Sequence, residues 1–109
     1  MTPSDPSDGT RTSDSTPNAP NRERMNVIAA GEVQGVGFRA FVRKRALELD
    51  IAGHAENMAD GRVEVVAEGR RDDLELLLVK MKAGPTHSDV TSLEVAWAEA
   101  GGLSGFHVY

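Results

Sequence analysis

The sequence predicts an α+β fold, with two helices packed on one face of an antiparallel sheet. Three observations support it: apolar residues recur at helical spacing in two stretches, alternate at strand spacing in three others, and an Asp60-Gly61 pair marks a tight hairpin turn. In chain order the elements read strand, helix, strand, strand, helix, strand, with a short strand at the end. Split βαβ units in this order fold as a ferredoxin-like α/β sandwich.

The first 24 residues hold four of the five prolines and, besides Met1, have Ala19 as their one apolar side chain. Such a segment cannot bury enough surface to offset the entropy of ordering it. It also lacks the apolar stretch of a secretory signal. We therefore expect a disordered tail over residues 1–24 and a single domain over residues 25–109. Whether Met25 is the true start of the protein stays open.

The first half of the domain is predicted to form a strand over residues 25–33, a helix over 38–50 and a second strand that ends at Asn57 before the hairpin. The basic run 43–45 falls mostly on the solvent side of this helix. Its apolar stripe, spaced as one helical face, consists of Phe38, Phe41, Val42, Ala46 and Leu49.

The second half is predicted to form a strand from Val63, a helix over residues 72–82, a strand over 90–98 and a short last strand around Phe106. Acidic residues open the second helix and lysines close it, which complements the helix dipole, and Gly84-Pro85 ends it. Its apolar stripe consists of Leu74, Leu77, Leu78 and Met81.

The composition excludes several classes of function. The chain has no cysteine, which excludes disulfides, thiolate metal sites and cysteine nucleophiles. Its formal net charge of −5 argues against a nucleic-acid binder. No apolar run approaches the roughly 18 residues of a membrane span. We expect a cytoplasmic monomer.

The stretch GVGFRA, residues 35–40, connects the first strand to the first helix and matches the G-x-G-x-x-A form of the dinucleotide fingerprint. That fold needs a parallel strand after the helix, whereas the hairpin at Asp60-Gly61 reverses the chain. A nucleotide P-loop is excluded as well, because no Gly-Lys-Ser/Thr closes the loop. On the glycines alone, a purely structural turn and a phosphate-binding loop both remain open.

The presence of Arg39 favours the phosphate-binding interpretation of this loop over the purely structural one. The free N–H groups of a helix's first turn carry roughly half a positive charge, so an arginine there is unfavourable unless an anion offsets it. Backbone N–H groups exposed by glycine, together with a guanidinium, suit a tetrahedral oxyanion. The alternative is that Arg39 extends into solvent or pairs with Glu32.

The sequence offers no clear nucleophile and no carboxylate cluster with metal spacing, and His54, His87 and His107 are scattered. Direct attack by water on a bound phosphoryl group needs mainly positioning and charge stabilisation. A neutral amide suffices to orient the water, and Asn57 is the candidate because its strand should lie beside the first one. Alternatively, Asn57 is a turn-flanking residue.

Two blocks carry a resemblance to a known family. GEVQGVGFR (residues 31–39) and the pattern G-x-A-x-N-x-x-D-G-x-V-E from Gly53 to Glu64 resemble the acylphosphatase family, with Ala55 in place of a valine. The resemblance covers residues 26–109. It implies the ferredoxin-like fold and hydrolysis of the carboxyl–phosphate bond of small acyl phosphates, without a metal, another cofactor or a covalent phosphoenzyme.

The same resemblance assigns the site. Arg39 would bind phosphate oxygens bidentately, Asn57 would position water for in-line attack, and the substrate phosphate would accept the proton. The backbone N–H groups that would hold the phosphate belong to Gln34, Gly35, Val36, Gly37, Phe38 and Arg39.

Three positions depart from the family pattern. Asp50 replaces a glycine that commonly ends the first helix, Ala55 removes packing volume, and Glu56 adds a negative charge beside Asn57. We expect activity to survive them, with a raised KM. Two other functions remain as alternatives. One is a non-catalytic module of the same fold that binds an anion or a carbamoyl-phosphate-like ligand within a maturation complex, and the other is nucleic-acid binding on the open sheet face.

Overall fold

The structure, a computed structural model, describes residues 21–109 and contains the predicted elements in the predicted order. Two helices are present, α1 (Phe38–Glu48) and α2 (Arg71–Ala83). The five strands are β1 (Arg22–Glu32), β2 (Ala52–Asn57), β3 (Val63–Arg70), β4 (Asp89–Glu99) and β5 (Phe106–Val108). The ferredoxin-like α+β fold is therefore confirmed. Neither helix of the described part is long and apolar enough to cross a membrane.

The sheet has the strand order β4-β1-β3-β2-β5. The first four strands are antiparallel, as predicted. The short β5 lies on the outer edge of β2 and runs parallel to it, with His54 opposite His107, so the whole sheet is mixed. This parallel pairing brings Val108 opposite Ala55, near the end of β2.

The core lies between the sheet and the two helices. Alternate residues of β1 and β3 face it, and Val27 and Val65 sit opposite each other there without solvent exposure. The predicted stripe of α2 is buried at Leu74, Leu77 and Met81, and Leu78 is partly buried against the same core. Both helices thus pack on one face, and the other face of the sheet carries no helix.

The folded domain begins earlier than the sequence predicts. β1 starts at Arg22, so residues 22–24, expected in the tail, instead pair with β3 and partly with β4. Polar contacts attach residues 22–24 to the sheet. Arg24 forms an ion pair of 2.7 Å with Glu68, and Arg22 donates a hydrogen bond to the main-chain oxygen of Glu68. Residues 1–20 lie outside the described part, and the prediction for them stays a prediction.

The helix α1 ends at Glu48, two residues before the predicted end, and the chain leaves it through Asp50. Asp50 has φ 57°, in the left-handed region. The N–H groups of Asp50 and Ile51 donate to the carbonyls of Leu47 and Ala46, the paired bonds of a Schellman motif. Asp50 therefore occupies the position that glycine prefers, and the buried Ile51 anchors the exit.

The loop between β4 and β5 is attached to the sheet by Glu68. This carboxylate has no solvent exposure and accepts hydrogen bonds from the N–H groups of Gly101, Gly102 and Leu103, at 2.7–3.0 Å, as well as from Arg24. Burial acts to raise the pKa of Glu68, but the hydrogen bonds from the loop and the charge of Arg24 outweigh it, so this pKa is lowered. Glu68 thereby fixes the path by which the chain reaches β5.

Candidate active site

The connection between β1 and α1 is held at both ends by buried side chains. Val33 and Phe38 are each 1% exposed and belong to the core, whereas Gln34 to Gly37 form the turn between them. The resemblance assigns the backbone of Gln34 to Arg39 to phosphate, and all of these residues lie in this single turn and the helix start. The loop is therefore a short segment with fixed ends.

Two glycines give the loop its shape. Gly35 and Gly37 have φ values of 76° and 79°, in the left-handed region that side chains disfavour. A Cβ at either position would meet no other atom within 4 Å, so backbone conformation rather than crowding requires glycine here. The open space over both residues leaves room for a ligand against the backbone.

The first turn of α1 presents unpaired donors to this space. Gly37 is the N-cap and supplies no side-chain cap, and the first intrahelical bond runs from the Phe41 N–H to the Gly37 carbonyl at 3.0 Å. The N–H groups of Phe38, Arg39 and Ala40 precede that bond and have no partner within the helix. Because this turn carries no acidic residue, its partial positive charge is not offset by a local side chain.

Arg39 lies in this turn and extends toward the end of the chain. Its guanidinium donates to a main-chain oxygen of Tyr109, the last residue of the sequence. This partner is neither solvent nor Glu32, the two alternatives raised from the sequence. A guanidinium has five N–H donors, so the bond to Tyr109 leaves donors for a second oxyanion.

Asn57 ends β2 on the side of the sheet that faces the helices. Ala55, two residues earlier, is fully buried in the core, and strand alternation places Asn57 on the same face. Glu56 points to the other face, where it lies opposite Glu64. The negative charge that departs from the family pattern is therefore on the opposite face of the sheet from Asn57.

Two contacts bring these parts together. The N–H of Tyr109 donates to the Ala55 carbonyl at 2.9 Å, which places the partner of Arg39 beside the end of β2. The side-chain amide of Gln34 donates to the carbonyl of Met58, the residue after Asn57, at 2.8 Å. Arg39, through Tyr109, and the loop, through Gln34, are thus both linked to residues that flank Asn57.

Sequence reasoning missed two residues at this end. Gln34 was assigned through its backbone alone, and the motif gives no signal for its side chain. Tyr109 has no periodic signal either, because a three-residue strand is too short to show a pattern. Its place became evident only from the parallel pairing of β5 with β2.

The remaining candidates do not form a metal centre. Within residues 21–109, no three His, Cys, Asp or Glu side chains lie close enough together to hold a metal ion. His54 and His107 lie on neighbouring strands with their rings near that of Tyr109, at centroid distances of 5.5 and 6.3 Å, and His87 lies in the loop before β4. The polar groups described at this site are backbone N–H groups, a guanidinium and side-chain amides.

Comparison with known proteins gives a consistent result. A family model described as Acylphosphatase matches residues 25–108. The acylphosphatase of Thermus thermophilus is 56% identical over 86 residues, covering 79% of this chain and 98% of that protein. The acylphosphatase of Deinococcus radiodurans is 44% identical over 86 residues, covering 79% of this chain and 99% of that protein. A crystal structure of acylphosphatase from Bacillus subtilis superposes with a TM-score of 0.78 at 36% identity, covering 80% of this chain and 98% of that chain.

Proposed function

The chain belongs to the acylphosphatase family and hydrolyses acyl phosphates, and we propose that water attacks the phosphorus directly while the phosphoryl group is bound at the start of α1. The attack is in line with the bond between phosphorus and the acyl oxygen. The P–O bond to water forms as the P–O bond to the carboxylate breaks. The products are a carboxylate and inorganic phosphate.

The observation that carries this proposal is the open turn before α1. Gly35 and Gly37 in left-handed conformations expose backbone N–H groups, and Arg39 follows in a first turn without an acidic residue. The helix start contributes roughly half a positive charge and the guanidinium a full one. Together they match a phosphoryl group, whose charge spreads over its oxygens in the transition state.

Arg39 is proposed to bind the phosphoryl group of the substrate. Its guanidinium donates to a main-chain oxygen of Tyr109 through one nitrogen, and its other N–H donors serve the phosphoryl oxygens. A phosphoryl group against the loop offers two oxygens in one plane, which suits the two parallel N–H donors of a guanidinium better than one main-chain oxygen does. In the proposal, Arg39 therefore takes the substrate bidentately.

Asn57 orients the attacking water. The amide accepts a hydrogen bond from the water through its oxygen, which fixes the water's lone pair toward phosphorus. The water's proton passes to a phosphoryl oxygen. Because a carboxylic acid has a pKa of about 4, the departing carboxylate needs no proton, so no general acid is required.

The test is release of inorganic phosphate from acetyl or benzoyl phosphate by the purified protein in EDTA. Removing one transition-state donor typically lowers kcat by about 100- to 1000-fold, and we expect a loss of this size for Arg39→Gln, with a raised Ki for phosphate as competitive inhibitor. For Asn57→Ala we expect a loss of about 100-fold in kcat with the phosphate Ki unchanged, because the water and not the phosphate has lost its partner.

The control is Lys44→Gln, which removes one positive charge from the exposed side of the same helix. We expect its kcat and KM to stay within about twofold of the wild type, since Lys44 is exposed and water and salt weaken the effect of a charge on the solvent side of the helix. If Arg39→Gln hydrolyses acetyl phosphate as fast as Lys44→Gln does, the proposed role of Arg39 is wrong. Phosphate binding by the wild type without turnover would instead support the non-catalytic module.

The acyl substrate is proposed to be small, and the protein is proposed to act as a monomer. The site described here lies within one chain: the loop, Arg39 and Asn57 all come from the same domain. Light scattering of the active protein tests the monomer, and an active dimer would contradict it.

A further inference from the structure

We propose that the side chain of Gln34 is a positioning residue that sets the phosphate loop against Asn57, and that hydrolysis depends on it beyond the backbone role assigned to this residue. The inference rests on the proposed function, since it concerns the geometry between the bound phosphoryl group and the water that Asn57 orients. The side chain of Gln34 touches neither reactant in this scheme and acts through Asn57.

The side chain makes two hydrogen bonds, both outside its own loop. Its Nε2 donates to the carbonyl of Met58 at 2.8 Å and to the carbonyl of Arg62 at 2.9 Å, in a partly buried position. Both hydrogens of the amide nitrogen are thereby used. The opposite orientation of the amide would set its oxygen against two carbonyl oxygens, so the donor arrangement is the stable one.

The two acceptors are the carbonyls that close the hairpin turn after Asn57. The Met58 N–H donates to the Arg62 carbonyl at 2.8 Å, and the Gly61 N–H donates to the Met58 carbonyl at 3.2 Å. Asp60 accepts bonds from the Arg62 N–H and side chain, and the bond from that N–H lowers the Asp60 pKa. The amide of Gln34 is therefore attached to a turn that is already internally bonded.

The sheet does not supply this link. β1 pairs with β3 only as far as Ala29, opposite Val63, and after a register shift at Ala30 it continues along β4. The loop thus leaves β1 at a point where the strand has separated from the hairpin that carries Asn57. Gln34 bridges that gap, five residues beyond the last β1–β3 pair.

This arrangement predicts how the loss of the amide would act. The loop keeps its conformation through Gly35, Gly37 and the buried ends Val33 and Phe38, so phosphate still binds. The hairpin becomes free to shift relative to the loop, and a displacement of about 1 Å between reacting groups can lower a rate about 100-fold. The expected signature is a loss in kcat without a loss in phosphate affinity.

The experiment compares Gln34→Met, which keeps the length of the side chain but removes the donor, with the wild type. We expect kcat for acetyl phosphate to fall about 10- to 100-fold and the phosphate Ki to stay within about twofold. If Gln34→Met does not fold by circular dichroism, Gln34→Leu decides the question, because it also removes the donor and adds no charge to the loop. Wild-type kcat in the folded variant overturns the inference.

A double-mutant cycle separates positioning from a general structural effect. When Asn57 is already alanine, the proposal predicts that Gln34→Met lowers kcat by less than about twofold more, because the two residues act as one unit. A full, multiplicative loss on the Asn57→Ala background overturns the inference. If Asn57→Ala alone retains wild-type kcat, the proposed function fails instead, whatever Gln34→Met does.

The matched control is Asp60→Ala, which loosens the same turn but leaves the bonds from Gln34 in place. We expect its kcat to stay within about threefold of the wild type, because the link between the loop and the hairpin is intact. A loss in Asp60→Ala equal to that in Gln34→Met would show that any weakening of the turn suffices, and would overturn the specific role of Gln34.

Discussion

Replacing Glu68 by glutamine is predicted to destabilise the domain strongly, although Glu68 lies outside the site. The carboxylate is fully buried, and its two oxygens accept four hydrogen bonds, one each from Arg24, Gly101, Gly102 and Leu103, and form an ion pair with Arg24. Glutamine keeps one oxygen and turns an amide N–H₂ toward donors. It also leaves Arg24 without its carboxylate.

The size of the destabilisation by Glu68→Gln follows from the burial of the carboxylate. Breaking a buried ion pair by removing one partner costs about 3–5 kcal/mol. The Arg24 side chain is 32% exposed while Glu68 is not exposed at all, so water recovers part of the loss on the arginine side and we expect about 3 kcal/mol. For a domain of this size each kcal/mol lowers Tm by roughly 4–8 °C, which predicts a decrease of about 12–24 °C.

The assay is urea unfolding at pH 7, followed by the fluorescence of Trp97, the one tryptophan of the chain. The control is Glu64→Gln, which removes a carboxylate on the same face of the same strand, where it lies opposite Glu56. We expect the free energy of unfolding of the control to stay within about 0.5 kcal/mol of the wild type. Removing one of two like charges that face each other offsets other losses. A loss below about 1 kcal/mol in Glu68→Gln would refute the claim that this carboxylate holds the β4–β5 loop.

The contribution of Glu68 to stability depends on pH with a defined sign. Because folding lowers the pKa of Glu68 from its ordinary value of 4.5, its contribution to stability is complete above that pH. The contribution is lost as pH falls from 4.5 toward the lower pKa of the folded state, where the buried carboxylate takes up a proton. Glu68→Gln should therefore show a shallower decline in the free energy of unfolding over this acidic range than the wild type does.

Three further substitutions test separate parts of the fold and the loop. Asp50→Gly should stabilise the domain by about 0.5–1 kcal/mol in urea unfolding, because glycine adopts φ 57° without strain and no acid then opposes the helix dipole; a loss of stability would contradict this. Gly37→Ala should cost about 1–2 kcal/mol and weaken phosphate inhibition, since φ 79° is strained for alanine although there is room for its Cβ; unchanged phosphate Ki would count against the loop. Arg43→Gln should lower the free energy of unfolding by about 1 kcal/mol, because the Arg43 side chain donates to the Phe106 carbonyl at 3.0 Å and helps to hold β5. An unchanged midpoint of urea unfolding would argue against that contact.

Much of the fold was predictable because the local signals agree with the tertiary structure. The apolar stripes of both helices, the alternation in β3 and the Asp60-Gly61 turn all predicted elements that the structure contains. The proposed phosphate site at the loop and Arg39 has a different basis in the sequence: an arginine in a first turn contradicts helix electrostatics, and such a conflict points to a ligand.

What the sequence could not show depends on contacts between distant segments. Alternation in β3 places Glu68 on the face away from the helices, but it does not reveal that the β4–β5 loop will cover that face. The hydrogen bonds of the Gln34 side chain are made to carbonyls 24 and 28 residues away. The parallel pairing of β5 follows from where the loop is anchored and not from its three residues.

The most direct test of the central claim is hydrolysis of acetyl phosphate in ¹⁸O-labelled water, followed by mass spectrometry of both products. If water attacks the phosphorus held at the start of α1, the label appears in inorganic phosphate and acetate remains unlabelled. Label in acetate would mean that water attacks the carbonyl carbon, and would contradict the proposed roles of the loop, Arg39 and Asn57.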